Sequence, residues 1–364
     1  MKILHIINSL ATGGAEKLLL ETLPLYNQKG IKADLLVLNG KNQPFLQELK
    51  TSGCCTIYSL GEQSVYNPIN VFKLISYLKK QDVVHVHLFP AQYWVVLAKL
   101  LSFSKTKLIF TEHNTSNRRL ENPIFSFIDK LIYKFYTKVV CITPEIKTIL
   151  VAHTKLPSDV FQVIENGVNL NTIKNAVTIK KNAIDASLQE ADTIIIQVAG
   201  FREQKDQKTA ILAMALLPKS YKLLLVGVGP LKEECETLVA SLGLQNNVLF
   251  LGVRMDVPQL LKTADVVLLS SKYEGLSLSS IEGMASGKPF VASDVPGLTE
   301  VVQGAGILFP VGNAEVLATE ISKLFTDTEH YNSVASACQK RAEAYDIHKM
   351  VDQHINLYNS LAKN

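Results

Sequence analysis

The chain has 364 residues, 47% hydrophobic and 19% charged, with a formal net charge of +4; this composition excludes wholesale disorder, and the length exceeds what one core usually serves, so two domains are expected. No stretch reaches the roughly 18 uninterrupted apolar residues of a membrane span. The opening Met-Lys-Ile-Leu-His-Ile-Ile carries polar residues too early for a secretory signal, which points to a cytoplasmic location.

The charge is uneven. Residues 1–170 hold 19 Lys and Arg against 12 Asp and Glu, and the remainder 18 against 21. A basic first half suits an anionic partner such as a phospholipid surface or a phosphorylated acceptor; an unevenly solvated surface explains it equally. The five cysteines, Cys54, Cys55, Cys141, Cys235 and Cys338, lack metal-ligand spacing, and neighbouring Cys54 and Cys55 make a poor disulfide, so reduced thiols are expected. No His/Cys/Asp grouping in the sequence indicates a metal, and nothing indicates a nucleic-acid partner.

Lys2 to Asn8 is an apolar run followed by Ala11-Thr12-Gly13-Gly14-Ala15-Glu16 and a helical pattern, the order of a strand, glycine loop and helix. Glycine there lets backbone approach an anion, or simply makes a tight turn. The loop lacks both the Gly-x-Gly-x-x-Gly and the lysine-serine forms, which disfavours a dehydrogenase or a Walker-type nucleotide site. Strands are expected at Lys32 to Leu38, Asp82 to Leu88, Lys107 to Thr111 and Lys138 to Thr143, with helices between most of them. His85 and His87 alternate with valines and are read as core residues. His113 ends a strand in Phe-Thr-Glu-His-Asn, where it could reach a sugar hydroxyl. Ile124, Phe125, Phe127, Ile128, Leu131, Ile132 and Phe135 interleave with Lys130, Lys134 and Lys138, the pattern of an interfacial helix on an anionic membrane or of a buried helix with a basic edge.

After Asn166-Gly167-Val168, residues 171–191 are polar with weak periodicity and read as a linker. Strands then resume at Asp192 to Ala199, Lys222 to Val228, Asn247 to Gly252, Asp265 to Ser270 and Pro289 to Ser293, with helices near 206–217, 231–242, 256–263, 278–285 and 313–326. The expected fold is α/β, two Rossmann-like doubly wound domains facing across a cleft: 1–170, the linker, and 192–344. From 345 to 364, Ile347, Val351, Ile355 and Tyr358 are spaced as one helix face, which would cross back onto the first domain.

The stretch Tyr-Glu-Gly-Leu-Ser-Leu-Ser-Ser-Ile-Glu, 273–282, places Glu274 in a loop and Glu282 inside a helix that Ser277 is positioned to cap. A helix start offers free N–H groups and partial positive charge, so a diphosphate could dock on the amides of Leu278 and Ser279. The two acids could then hold hydroxyls at opposite ends of one ligand; alternatively Glu282 completes a capping box with Ser279 and Glu274 is a solvated loop acid. Lys205, in Gly200-Phe201-Arg202-Glu203-Gln204-Lys205, leaves a strand where it could neutralise a leaving diphosphate.

Taken in order, Gly13-Gly14, His113, Asn166-Gly167-Val168, Gln204-Lys205 and Glu274-Gly275-Leu276-Ser277-Leu278 with Glu282 and Gly287-Lys288-Pro289 resemble the retaining, GT-B-fold glycosyltransferases of family 4. The resemblance implies that Glu282 binds the nucleotide ribose, Glu274 holds hydroxyls of the transferred sugar, and the Leu278 and Ser279 amides with Lys205 hold the diphosphate. It further implies that Gly13 and Gly14 approach the phosphates, His113 contacts the sugar near its reacting carbon, Val253 lies at the base and Gly275 belongs to the donor site. No metal or other cofactor is implied, since lysine, amides and helix dipole replace it. One departure stands out: the family often has arginine where this chain has Gly200, so either Arg202 reaches the diphosphate or Lys205 acts without an arginine. Asn169 also replaces a common aspartate. The implied reaction moves a sugar from a nucleotide sugar, uridine-linked by analogy, to a hydroxyl of a glycan or lipid-linked acceptor with retention of configuration. Rival readings are a nucleotide-sugar epimerase of the same fold and a non-catalytic sugar-nucleotide-binding module.

Overall fold

A computed structural model describes residues 1–113 and 122–362. The chain divides into two compact units, Met1–Gly167 with Ile347–Asn364, and Val168–Asp346.

In the first unit, strands β1 (Lys2–Ile7), β2 (Lys32–Val37), β3 (Ile57–Ser59), β4 (Val83–His87), β5 (Lys107–Glu112), β6 (Lys138–Cys141) and β7 (Phe161–Val163) form one sheet in the order β3-β2-β1-β4-β5-β6-β7. All its pairings are parallel. The central strands are buried on both faces because helices cover both: Ile3, Leu4, Ile6, Ile7, Val84 and Val86 are fully buried. Strand register sets His5 opposite His85 and Thr111 opposite His87. With a side-chain period of two, His5, His85, His87 and Thr111 therefore share one face of the sheet.

That face is covered by the helix Ile347–Ala362, which also packs on the helix Gly14–Gln28. Its buried stripe is Ile347, Val351, His354, Tyr358 and Leu361. Ile355, expected in the stripe, is only partly buried, and His354 takes its place because that side chain joins a cluster of buried rings.

In the second unit, β8 (Thr193–Val198), β9 (Tyr221–Val226), β10 (Val248–Gly252), β11 (Val266–Leu269), β12 (Phe290–Ser293) and β13 (Ile307–Phe309) form a parallel sheet in the order β10-β9-β8-β11-β12-β13. Each sheet reverses its strand order once, between β1 and β4 and between β8 and β11. Ligands of open α/β sheets bind at the carboxyl ends of the strands beside such a switch.

One expectation needs correction. Residues 171–191 are not a free connector: they carry the short helices Leu170–Lys174 and Lys181–Ile184 and belong to the second unit. Ile173, Ile184 and Leu188 are buried there, and the Lys181 Nζ donates to the carbonyls of Glu190 and Asp192 at 2.9 and 2.5 Å. Three apolar residues scattered among polar ones give no periodicity, yet suffice to fasten the segment. In addition, β3, β7 and β13 have three residues each, too few to show alternation, and the helix Thr328–Ala342 is polar enough to pass as loop.

Candidate active site

Beside the switch of the second sheet, the loop after β8 and the loop after β11 bring Lys205 and Glu274 together, Nζ to Oε1 at 2.5 Å. Neither residue is placed by chance. Lys205 closes a single helical turn, Glu203–Lys205, whose carbonyl accepts from Gln197 Nε2 on β8 at 3.0 Å; Ser270 Oγ, just past β11, donates to the next carbonyl, that of Asp206, at 2.8 Å. Asp206 itself sits in the left-handed region, φ 43°, so the chain turns sharply after the lysine. Glu274 is 7% exposed and takes a second bond from Ser271 Oγ at 2.6 Å on the same oxygen. Its other oxygen meets Gln204 Nε2 at 3.5 Å, leaving lone pairs to accept from a hydroxyl. The loop after β12 supports this arrangement from below. Gly297, at φ +84°, lies so close that an added Cβ would sit 2.3 Å from the carbonyl oxygens of Glu274 and Gly275. Only glycine satisfies both the conformation and the contact.

The helix Leu278–Ala285 begins directly after the Glu274 loop, and Gly283 lets it lie against β11 and β12: a Cβ there would come 2.7 Å from Val267 and Phe290 side chains. Ser277 is the N-cap residue by backbone position, but its hydroxyl pairs with Ser279 Oγ at 3.1 Å and makes no capping bond. The expected cap is therefore not made, and the first-turn N–H groups of Leu278 and Ser279 keep no side-chain partner from the N-cap. The capping-box alternative for Glu282 also falls: Ser279 lies inside the helix, and the third helical position is Ser280. Glu282 stands in the second turn and is 4% exposed.

The remaining donor-site candidates are more dispersed. Arg202 is exposed and has no salt bridge among the described residues, so its reach toward a phosphate is not fixed by any contact. Gly200 lies against the carbonyl of Val228, where an added Cβ would be at 3.3 Å. Val253 follows β10 and is 42% exposed. In the first unit, Gly13 precedes and Gly14 opens the helix after β1, without a side-chain cap, and His113 follows β5. Sequence reading missed Ser271, Gln197, Ser270 and Gly297, as well as Gly227 and Gly229, whose missing side chains admit the carbonyls of Ala199 and Phe201 within 2.3 Å of a would-be Cβ. The only signal for the last pair was Gly-x-Gly-Pro at a strand end.

His113, itself partly buried, ends a line of buried rings. His87 Nδ1 lies 3.2 Å from His113 Nε2, and His87 Nε2 lies 3.1 Å from His5 Nδ1. His85 is spoken for on both sides, by Tyr358 OH and Thr111 Oγ1 at 2.7 Å each. Burial holds the imidazoles neutral: His5 falls to about 3 and His113 to about 4, with His354 adding repulsion, and His85 and His87 fall well below the ordinary value. His5, His85 and His87 bring ring nitrogens within 4.8 Å of one another, the spacing of a metal ligand set that an 80-residue gap hides in the sequence. The hydrogen bonds above occupy all their nitrogens but His5 Nε2, so a cation there would have to displace them.

Residues 12–172 match the family described as Glycosyltransferase Family 4, and residues 179–341 the family described as Glycosyl transferases group 1. N-acetyl-alpha-D-glucosaminyl L-malate synthase of Bacillus anthracis is 29% identical over 319 residues, 83% of this chain and 81% of that protein. The Campylobacter jejuni N-acetylgalactosamine-N,N'-diacetylbacillosaminyl-diphospho-undecaprenol 4-alpha-N-acetylgalactosaminyltransferase is 26% identical over 359 residues, 93% of this chain and 94% of its own. Among solved structures, Anabaena HepE in complex with UDP-glucose superposes with a TM-score of 0.84 at 22% identity, covering 99% of this chain and 100% of that one. The two-sheet architecture is the GT-B fold.

Proposed function

Because the chain belongs to the group 1 and family 4 glycosyltransferases, we propose that it transfers a sugar from a uridine-diphosphate sugar to a hydroxyl of a lipid-linked or polysaccharide acceptor, keeping the anomeric configuration. The observation that carries this is the Lys205–Glu274 pair at 2.5 Å beside the uncapped start of the helix Leu278–Ala285. In this reading the diphosphate lies on the Leu278 and Ser279 amides, where helix dipole and N–H groups favour anions. Gly13 and Gly14 are assigned to the phosphates through their backbone. Lys205 lies within reach of both charges: it holds Glu274 in place and balances the phosphate as negative charge develops on it. Glu274 orients sugar hydroxyls through its less occupied oxygen, Glu282 binds the ribose, Val253 and Gly275 border the nucleotide, and His113 contacts the sugar.

The acceptor oxygen forms its bond to the anomeric carbon on the face from which the carbon–oxygen bond to phosphate breaks. The acceptor's proton passes to the leaving phosphate, so no protein nucleophile is needed and Glu274 stays a positioning carboxylate. Lysine and amide charge serve in place of a metal. The uridine donor is supported by HepE, solved with UDP-glucose, and the lipid-linked acceptor by the undecaprenol-diphosphate named for the Campylobacter relative.

Membrane contact fits such an acceptor. No described helix is long and apolar enough to cross a bilayer, but the helix Pro123–Tyr133 leaves Ile124, Phe127 and Leu131 71%, 64% and 42% exposed, with Lys130 and Lys134 among them. In this reading that face lies in an anionic interface, on the cytoplasmic side of the membrane.

The test is incubation with UDP-hexoses and UDP-N-acetylhexosamines, with and without a polyprenyl-diphosphate sugar, reading product and anomeric configuration by NMR. Retained transfer that Glu274→Ala abolishes while donor binding persists is expected. Interconversion of the donor without acceptor would replace the reading with an epimerase, and donor binding without turnover would replace it with a binding module.

A further inference from the structure

The three rings His5, His87 and His113 are joined by two nitrogen–nitrogen contacts of 3.1 and 3.2 Å. A neutral imidazole has one N–H and one lone pair, so each contact must hold one proton and the middle ring must donate on one side and accept on the other. Three protons and two contacts leave two arrangements. Either the spare proton sits on His5 Nε2 and every bond points inward, or it sits on His113 Nδ1 and every bond points outward. His5 Nε2 is buried without a partner. In the inward arrangement it would be an orphaned N–H, the rarer and costlier defect; in the outward one it is an unused lone pair.

We infer that His5 and His87 are positioning residues that commit His113 to the Nδ1–H tautomer, so that it can only donate, from Nδ1, to an oxygen of the bound donor or acceptor. Its Nε2 lone pair is taken by His87, and His113 is thereby barred from acting as a base. Loss of base character agrees with a reaction in which the leaving phosphate takes the proton; this consequence rests on the proposed transfer, whereas the tautomer does not. His85 stands outside the relay because Thr111 and Tyr358 satisfy it.

The experiment is long-range nitrogen–proton NMR of the ligand-free full chain labelled with 15N-histidine, with the His113 signals identified by their loss in His113→Gln. The expected spectrum shows His113 and His87 neutral and protonated on Nδ1. His87→Asn keeps a donor near the position of His87 Nδ1 and should hold both the His113 tautomer and turnover. His87→Leu should release His113 toward the Nε2–H form and lower kcat about tenfold, the size of one hydrogen bond, with the donor KM little changed. A wild-type His113 protonated on Nε2 overturns the inference outright, whether or not the His87 variants fold. Predicted tautomers with unchanged kcat in His87→Leu overturn the positioning role. Absence of transfer by the wild type, with the tautomers as predicted, overturns only the transferase reading.

Discussion

Acid should unfold the first unit well before it protonates most carboxylates. Seven of the eight histidines lie in that unit; four of them, His5, His85, His87 and His354, are buried, His113 is partly buried, and desolvation holds all five neutral. Desolvation is the leading cause in each, setting His5 at about 3 and His113 and His354 at about 4. An unfolded histidine titrates near ~6.5. A lowered folded value means that the stability is intact above ~6.5 and is lost as pH falls toward the folded values, because the unfolded chain takes up the proton first. Between pH ~7.5 and ~5 each of the three loses roughly 2 kcal/mol, together roughly 6 kcal/mol, comparable to the whole stability of many domains. His85 and His87 shift the same way and add to it.

Urea unfolding read by tryptophan fluorescence isolates the effect, since Trp94 is the single tryptophan and belongs to the first unit. The Trp94 midpoint should collapse between pH ~7.5 and ~5, while carboxylates, with ordinary values near ~4, are still mostly ionised. An unchanged midpoint over that range would refute the neutral, buried assignment.

Three substitutions test the second unit. Gly283→Val drives a side chain into Phe290 and Val267 and should cost about 1–3 kcal/mol, seen as a melting temperature several degrees lower. Gly297→Ala forces φ +84° on a residue with a Cβ and pushes on the Glu274 carbonyl; transfer should fall by about tenfold or more while the circular dichroism stays native. Lys205→Met strips a buried carboxylate of its 2.5 Å partner, and should weaken donor binding and lower kcat by about 10²-fold in steady-state assays.

Much of this was legible from spacing. Runs such as Ile3 to Ile7 and Val266 to Leu269 announce buried parallel strands, and the pair Glu274 and Glu282 marks a loop and a helix face. What stayed hidden depends on register and long-range contact. Nothing local says that His5 faces His85 across two strands, that Gly297 abuts Glu274, or that Ser270 and Gln197 brace the lysine turn. The N-cap failed for the opposite reason: Ser277 has the right position, but a neighbouring hydroxyl on Ser279 competes for its bond.

The central claim is that backbone N–H groups at the start of the helix Leu278–Ala285 hold the donor's diphosphate. Leu278→Pro tests it, because proline is tolerated at the first helical position, the preceding Ser277 is already extended at φ −77° and ψ 115°, and a single N–H is removed. Calorimetric titration with UDP should show affinity reduced about 10- to 100-fold, the loss of one charge-assisted hydrogen bond. Wild-type affinity in a folded Leu278→Pro protein would contradict the account.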